Sequence, residues 1–394
     1  MTAAQKTRYV VMLGLLTMFG PLCVDLYLPS LPQLSQMLNT SDTLAQLSLT
    51  ACLLGLGLGQ VLFGPLSDRY GRRGPLLWAL GLFTLTSLGC ALVTSISQLL
   101  IMRFLEGLAG AGGAVISRAV ARDLYSGSDL TRFFALLMIV NGLAPILAPV
   151  AGGLLLKVTY WRGIFIILML LGAVILAMTA ALLEESLTKA QRATGSFSTV
   201  LRAFRQVLSS RRFMGLCLIQ SAMMAGMFAY IGSSAFVLQK GYHLTPQGFS
   251  LCFALNGAGL IIAGQLSARH SRGGRESQVV RYGLSAAVLL SALLVCTAVY
   301  RLPLPFFLGM LLLNVACVGG IGTVVVSLAM QTHERQISGT ASAVLGVMMF
   351  SIGGLCVPLS SWAGASAVSI AVTFFICYTL AWCVYRFLVI NNAD

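Results

Sequence analysis

The chain has 394 residues, of which 58% are hydrophobic and only 9% charged, and its mean hydropathy is +0.90; this excludes a soluble globular domain and makes the bilayer the solvent. The net charge of +14 does not point to nucleic acid, because the basic residues are scattered through short connecting loops with no recognition module. The ten cysteines lie in apolar stretches, with no CxxC and no pairing with His, and read as small hydrophobes rather than disulfides or metal ligands.

Apolar runs long enough to cross a hydrocarbon core of about 30 Å recur along the whole chain. Twelve can be counted, over 9–32, 44–66, 75–95, 98–121, 132–156, 163–183, 213–238, 246–268, 280–300, 304–330, 336–359 and 366–389. Each is continuously apolar and longer than a barrel strand, so the predicted fold class is an all-α membrane protein of twelve transmembrane helices. The first run, Tyr9 to Leu28, is longer than a signal-peptide core and lacks a small-x-small cleavage pattern, so it is expected to stay as a helix. It carries one acid, Asp25, between Pro21 and Pro29, and the two prolines are expected to bend the helix around it.

With the N-terminus in the cytoplasm, the even-numbered connections and the two ends hold twenty Lys and Arg, against Lys157, Arg162, Lys240 and Arg301 on the opposite side. The positive-inside rule therefore predicts that both termini are cytoplasmic. The longest polar interruption, Glu184 to Arg212, predicts an N-terminal six-helix half over 1–183, a cytoplasmic linker over 184–212 and a C-terminal six-helix half over 213–394. After the second run comes "GPLSDR" at 64–69, and after the eighth comes "GQLSAR" at 264–269. Equivalent positions for related segments point to an internal duplication, in which Asp68 has become Ala268.

Only two acids, Asp25 and Glu106, fall inside the runs, and the second half has none. Apart from Arg118, counted with the cytoplasmic charges at its inner end, the fourth run holds one basic residue, Arg103, and a buried arginine needs an anion. Counted at 1.5 Å per residue from the outer ends, Asp25 and Arg103 both lie about 7–12 Å below the outer boundary. They are expected to meet there and form a proton switch governed by which side water reaches. Glu106, three residues after Arg103, is within intrahelical reach and is a candidate second protonation site.

"GPLSDRYGRRGPLL", Gly64 to Leu77, resembles the loop signature of the major facilitator superfamily, G-x-L-a-D-R-x-G-R-[RK]-x-x-L, at Gly64, Leu66, Asp68, Arg69, Gly71, Arg72, Arg73 and Leu77. The resemblance implies two pseudo-symmetric six-helix halves and a conformational latch in this loop, where Asp68 can pair with Arg72 or Arg73. The fourth run resembles the R-x-x-Q-G signature of drug/proton antiporters at Arg103 and Gly107, with Glu106 in place of the commoner Gln. The fifth run resembles the antiporter signature G-x-x-x-G-P-x-x-G-G, with Ala148 for the second Gly, then Pro149, Gly152 and Gly153. Together with Pro145, these residues are expected to bend an antiporter helix and bring it close to its neighbour across the interface between the halves.

"DLYLPSLP", "RDLY", "LAPILAP", "WRGIF" and "AGMFAYIGSSAFV" extend the similarity to the bicyclomycin/chloramphenicol-resistance branch of drug efflux pumps, over nearly the whole chain. This implies a proton-coupled antiporter that exports small lipophilic drugs by alternating access from the bacterial inner membrane. Its expected partners are a drug, protons and lipid; it is expected to act as a monomer, with no nucleic acid, no metal and no cofactor beyond the proton gradient. An exporter of one metabolite, such as a sugar, dipeptide or amino acid, is the alternative. An enzyme is not expected, since His243, His270 and His333 fall in loops and no phosphate-binding loop is present. A midplane cavity is expected to be lined by Tyr27, Asn141, Met223, Met227, Phe228, Tyr230, Phe236 and Asn256, because Met and aromatic side chains accommodate varied apolar solutes and amides orient them.

Overall fold

A computed structural model describes residues 3–125, 127–188, 192, 204–271, 273–332, 338–362 and 364–390, with the side chains of 3–8, 127–132, 134–141 and 338 outside that description. Twelve long helices follow one another among the described residues: α1 (Ala3–Asp25), α2 (Asp42–Tyr70), α3 (Arg73–Leu92), α4 (Ile96–Leu124), α5 (Gly127–Leu155), α6 (Trp161–Leu182), α7 (Arg211–Phe236), α8 (Pro246–His270), α9 (Glu276–Val299), α10 (Leu304–Gln331), α11 (Ser338–Ser360) and α12 (Ala367–Val384). Eleven stretches are long and apolar enough to cross a membrane, and α5 adds the shorter apolar segment Gly142–Leu155. Several helices carry apolar side chains outward as well as inward; Trp78 is 81% and Leu85 68% exposed on α3, as suits a helix with lipid on one side and protein on the other. Hydroxyl caps start four of them: Ser95, Ser210, Thr245 and Ser366 accept from the backbone N–H of Gln98, Phe213, Gly248 and Ser369.

The first run departs from the bent single helix expected. Regular α1 ends at Asp25, a 3-10 turn covers Leu28–Ser30, and a short helix restarts at Leu31–Met37. Pro29 explains the break. It has no N–H to give to the carbonyl four residues back, which is that of Asp25, and its ring clashes with that carbonyl. Pro21, by contrast, is accommodated inside α1. Asp25 is therefore the last residue of a helix, not a residue within one.

The chain clusters into two compact units: Met1–Thr40 with Ala51–Thr194, and Ser41–Thr50 with Gly195–Asp394. In the first unit α1 packs on α4, α5 and α6, while α3 packs on α4 and α6. In the second, α7 packs on α10, α11 and α12, while α9 packs on α10 and α12. The packing pattern thus repeats six helices on, as a duplicated chain requires. Glycines set the closest crossings in both units: a Cβ on Gly107 of α4 would fall 2.1 Å from the Cys52 carbonyl oxygen of α2, and one on Gly319 of α10 would fall 2.0 Å from the Leu260 carbonyl oxygen of α8. Only a residue without a Cβ permits such backbone contact. The related segments 64–69 and 264–269 both form the closing turns of their helices, α2 and α8.

Candidate functional site

Arg103 and Glu106 are completely buried in the first unit. Three residues apart on α4, they face the same way, and the Arg103 Nη1 donates to Glu106 Oε2 in a closed ion pair. The other terminal nitrogen, Nη2, donates to the Cys23 carbonyl oxygen at 2.6 Å, anchoring α4 to the end of α1. The guanidinium carbon stands 4.3 Å from the Tyr27 ring centre and 5.5 Å from that of Phe165, so aromatic faces replace water around the cation, a contact worth about 2 kcal/mol when desolvated. On the carboxylate side, Ser87 Oγ donates to Glu106 Oε1 at 2.8 Å and the Cys90 thiol reaches Oε2 at 3.8 Å, both from α3.

The expected meeting of Asp25 with Arg103 is not what the structure shows. Arg103 takes Glu106 as its ion-pair partner, and the buried Asp25 Oδ1 has no hydrogen-bond partner. Arg103 Nε is likewise buried and unpartnered. Two physical reasons favour Glu106: it sits on the same rigid helix, and the break after Asp25 ends the straight helix from which the common depth had been counted. Even so, Asp25 is only two residues beyond the carbonyl that Arg103 holds. The first unit therefore buries the ion-paired Arg103 and Glu106 and, apart from that pair, the carboxyl group of Asp25.

A second charged assembly surrounds the loop between α2 and α3. Arg72 Nη1 donates to Asp68 Oδ1 at 2.5 Å and to Ser67 Oγ at 2.9 Å, while Nε donates to Asp123 Oδ2 at 2.9 Å. Asp68 is half exposed, with 51% of its side chain accessible, whereas Asp123 is 17% accessible; the Asp123 bond is the more consequential, because exposed pairs are screened. Burial works against charge on Arg72, but the bonds to Asp123 and Asp68 outweigh it and hold the guanidinium above its ordinary value. Arg73 does not pair with Asp68. It donates through Nη2 to the Ala180 carbonyl oxygen at 2.8 Å.

The sequence reading did not include Glu185, just beyond α6. Its carboxylate accepts from the backbone N–H of Arg72 at 2.7 Å and of Arg73 at 3.3 Å, capping an α3 whose own N-cap side chain makes no such bond. Gly71, with φ +94°, turns the chain into this cap, and a Cβ there would lie 2.3 Å from Glu185 Oε2. Arg69 stacks on neighbouring Tyr70 at 5.7 Å. Around Gly64 a Cβ would meet nothing within 4 Å, so no close approach requires a glycine there.

In α5, Pro145 and Pro149 lie within the helix, and Gly152 and Gly153 are buried. A Cβ on Gly152 would stand 2.0 Å from the Leu26 carbonyl oxygen. The close approach expected across the interface between halves is thus made inside the first unit, against the break that follows Asp25. This groove in α5 receives the carbonyl where the α1 helix opens.

The family model described as Major Facilitator Superfamily matches residues 13–358. The chain belongs to the major facilitator superfamily. It is accordingly a multi-pass membrane transporter of small molecules and not an enzyme. It is 36% identical over 377 residues to the "Uncharacterized MFS-type transporter YdgK" of Bacillus subtilis (strain 168), covering 95% of this chain and 94% of that protein. A "Bicyclomycin resistance protein homolog" of Haemophilus influenzae is 28% identical over 389 residues, covering 98% and 96% of the two chains. Among solved structures, a D-xylose–proton symporter superposes with TM-score 0.75 at 16% identity, covering 97% of this chain and 98% of that one; at that identity it attests the fold alone.

The expected cavity residues of this major facilitator chain fall in both units. Tyr27 belongs to the first unit and is fully buried beneath Arg103, a packing position rather than a free wall. In the second unit, Tyr230 stacks on Phe253 at 5.6 Å, and its hydroxyl accepts from Asn256 Nδ2 at 2.8 Å. Phe228 lies 5.9 Å from Phe350, Phe236 lies 5.2 Å from the Lys240 ammonium, and Met223 and Met227 are buried on the same helix, α7. The Asn141 side chain lies outside the described residues. The sequence reading also missed Ser87 and Cys90; their spacing of three puts both on one face of an apolar helix, which is the signal that could have found them.

Proposed function

We propose that the chain is a proton-driven exporter of small lipophilic drugs of the bicyclomycin or chloramphenicol type, acting as a monomer in the bacterial inner membrane with both termini cytoplasmic. Membership of the major facilitator superfamily supports transport, and similarity to a bicyclomycin resistance protein homolog supports the cargo class. The observation that carries proton coupling is the buried carboxyl of Asp25 at the end of α1, without a hydrogen bond at Oδ1 and outside the ion pair in which Arg103 and Glu106 neutralise each other. Arg103 and Glu106 cancel, so the buried Asp25 carboxyl escapes an uncompensated charge, which costs several kcal/mol, only with a proton bound.

In this reading a proton reaching Glu106 frees Arg103 to turn its unpartnered Nε toward Asp25, and loss of that proton returns it to Glu106. Since Arg103 also holds the Cys23 carbonyl, the exchange pulls on the end of α1 and on the α5 groove that packs against Leu26. The Asp68–Arg72–Asp123 assembly, with Gly64, Arg69, Gly71 and Arg73 around it, acts as the conformational latch, and the energy source is the proton gradient with no bound cofactor. The test is drug susceptibility of cells overproducing the wild-type chain or Asp25→Asn, together with drug-triggered proton movement in inverted membrane vesicles. Drug resistance and proton movement that both disappear in Asp25→Asn are expected. Drug-independent behaviour in the wild type, across chemically diverse antibiotics, would turn the cargo assignment toward a metabolite.

A further inference from the structure

Three cysteines crowd the buried charge centre, and the transport cycle proposed above uses none of their thiols. Cys23 on α1 and Cys52 on α2 are fully buried, and their sulfur atoms stand 3.6 Å apart. Two thiolates sharing one tetrahedral ion, with metal–sulfur bonds of about 2.3 Å, are separated by about 3.8 Å. The two sulfurs are thus already spaced as ligands of a single soft atom, with no backbone movement needed to bring them together.

Their frame is stiff on the α4 side. Gly107 leaves no room between α4 and the Cys52 carbonyl oxygen, a Cβ on Gly110 would touch the Cys23 sulfur at 3.8 Å, and the Cys23 carbonyl is held by Arg103 at 2.6 Å. Among the described residues, no group of three or more His, Cys, Asp or Glu is placed to hold a metal ion. The pair therefore suits a ligand that is satisfied by two sulfurs and needs no third donor from the protein. Trivalent arsenic carrying one organic group meets both conditions, because it is soft, takes two thiolates and presents its third substituent as hydrocarbon.

We propose that Cys23 and Cys52 form a dithiol site for trivalent organoarsenicals, which would clamp α1 to α2 beside Arg103. The chemistry balances without oxidant: an arsenoso compound R–As=O reacts with two thiols, two As–S bonds form, and the oxygen leaves with both thiol protons as water. Binding stands apart from the transport reading. Only its consequence, arrest of the Arg103 exchange, rests on that reading.

The probe is phenylarsine oxide, added to the purified full-length chain in detergent micelles, with serine at the eight cysteines other than Cys23 and Cys52. Intact mass should show one phenylarsenic per chain, both thiols should lose reactivity toward N-ethylmaleimide together, and 2,3-dimercaptopropanol should restore it. Cys23→Ser or Cys52→Ser in that background should weaken retention by about 100-fold or more, since the second bond is then lost. Peptide mapping of the arsenical-treated wild-type chain should join the Cys23 and Cys52 peptides, and this decides the matter if the serine-rich variant does not fold. Retention unchanged in either single variant, or no joined peptides in the wild type, overturns the site. Binding without arrest of transport in vesicles would keep the site and overturn its assigned link to Arg103.

Discussion

Arg103 and Glu106, one turn apart on α4, neutralise each other with both side chains wholly excluded from solvent. Removing one member of such a pair strands the other charge, at a cost of about 3–5 kcal/mol, whereas replacing both by apolar groups of similar size is often neutral. Glu106→Gln is therefore expected to lower the thermal unfolding midpoint of the purified protein markedly. The double variant Arg103→Met with Glu106→Leu is expected to recover most of that loss while remaining inactive in proton-coupled export. A double variant as unstable as Glu106→Gln would contradict this account of the pair.

Asp25→Asn is expected to behave oppositely. The Oδ1 atom makes no hydrogen bond, so an isosteric amide sacrifices no contact there. Membrane abundance and unfolding midpoint should stay near wild type, while the dependence of drug export on the pH gradient should vanish. Measuring both in the same preparation separates a coupling role from a structural one.

Three glycines should respond in a graded way to alanine. Gly152→Ala places a Cβ 2.0 Å from a backbone oxygen, Leu26 O, which cannot move aside as a side chain can, so folded yield should collapse. Gly71→Ala meets φ +94° and the Glu185 carboxylate, and should cost about 1–3 kcal/mol through backbone strain. Gly64→Ala meets nothing within 4 Å inside a helix, and should be neutral or stabilising by up to about 1 kcal/mol. Fluorescence-detected size exclusion of the three variants gives the ranking, and a defective Gly64→Ala would assign that glycine a role beyond packing.

Glu185→Ala removes the carboxylate that caps the first two N–H groups at the start of α3. A loss of about 1 kcal/mol is expected, as for other helix caps, read as a lower unfolding midpoint. Arg72→Lys keeps the charge but loses the planar fork that reaches Asp68, Ser67 and Asp123 together. Its expected signature is slower export with near-normal abundance. Equal export by the Lys variant would show that charge alone suffices in this loop.

Much of the architecture was legible because bilayer physics acts on single segments. The twelve runs, the two related closing turns at 64–69 and 264–269, and the loop signature follow from length, apolarity and short motifs. The break at Asp25 could also have been read, since Pro29 lies four residues on and cannot serve that carbonyl. The partner of Arg103 was harder. Depth counted along straight helices suggested Asp25, but a pair three residues apart on one helix needs no second element to be positioned, and Glu106 prevailed.

By itself, the sequence determined that the chain must lie in a membrane, that its apolar runs recur along the whole length, and which few charges those runs carry. Those properties are sums over local residues. Only the tertiary structure decided that Glu185 caps α3 from beyond α6, that Ser87 and Cys90 attend Glu106, and that Gly152 receives the Leu26 carbonyl. Each of these joins residues far apart in the chain, and none is visible until helix rotation and crossing are set by close packing.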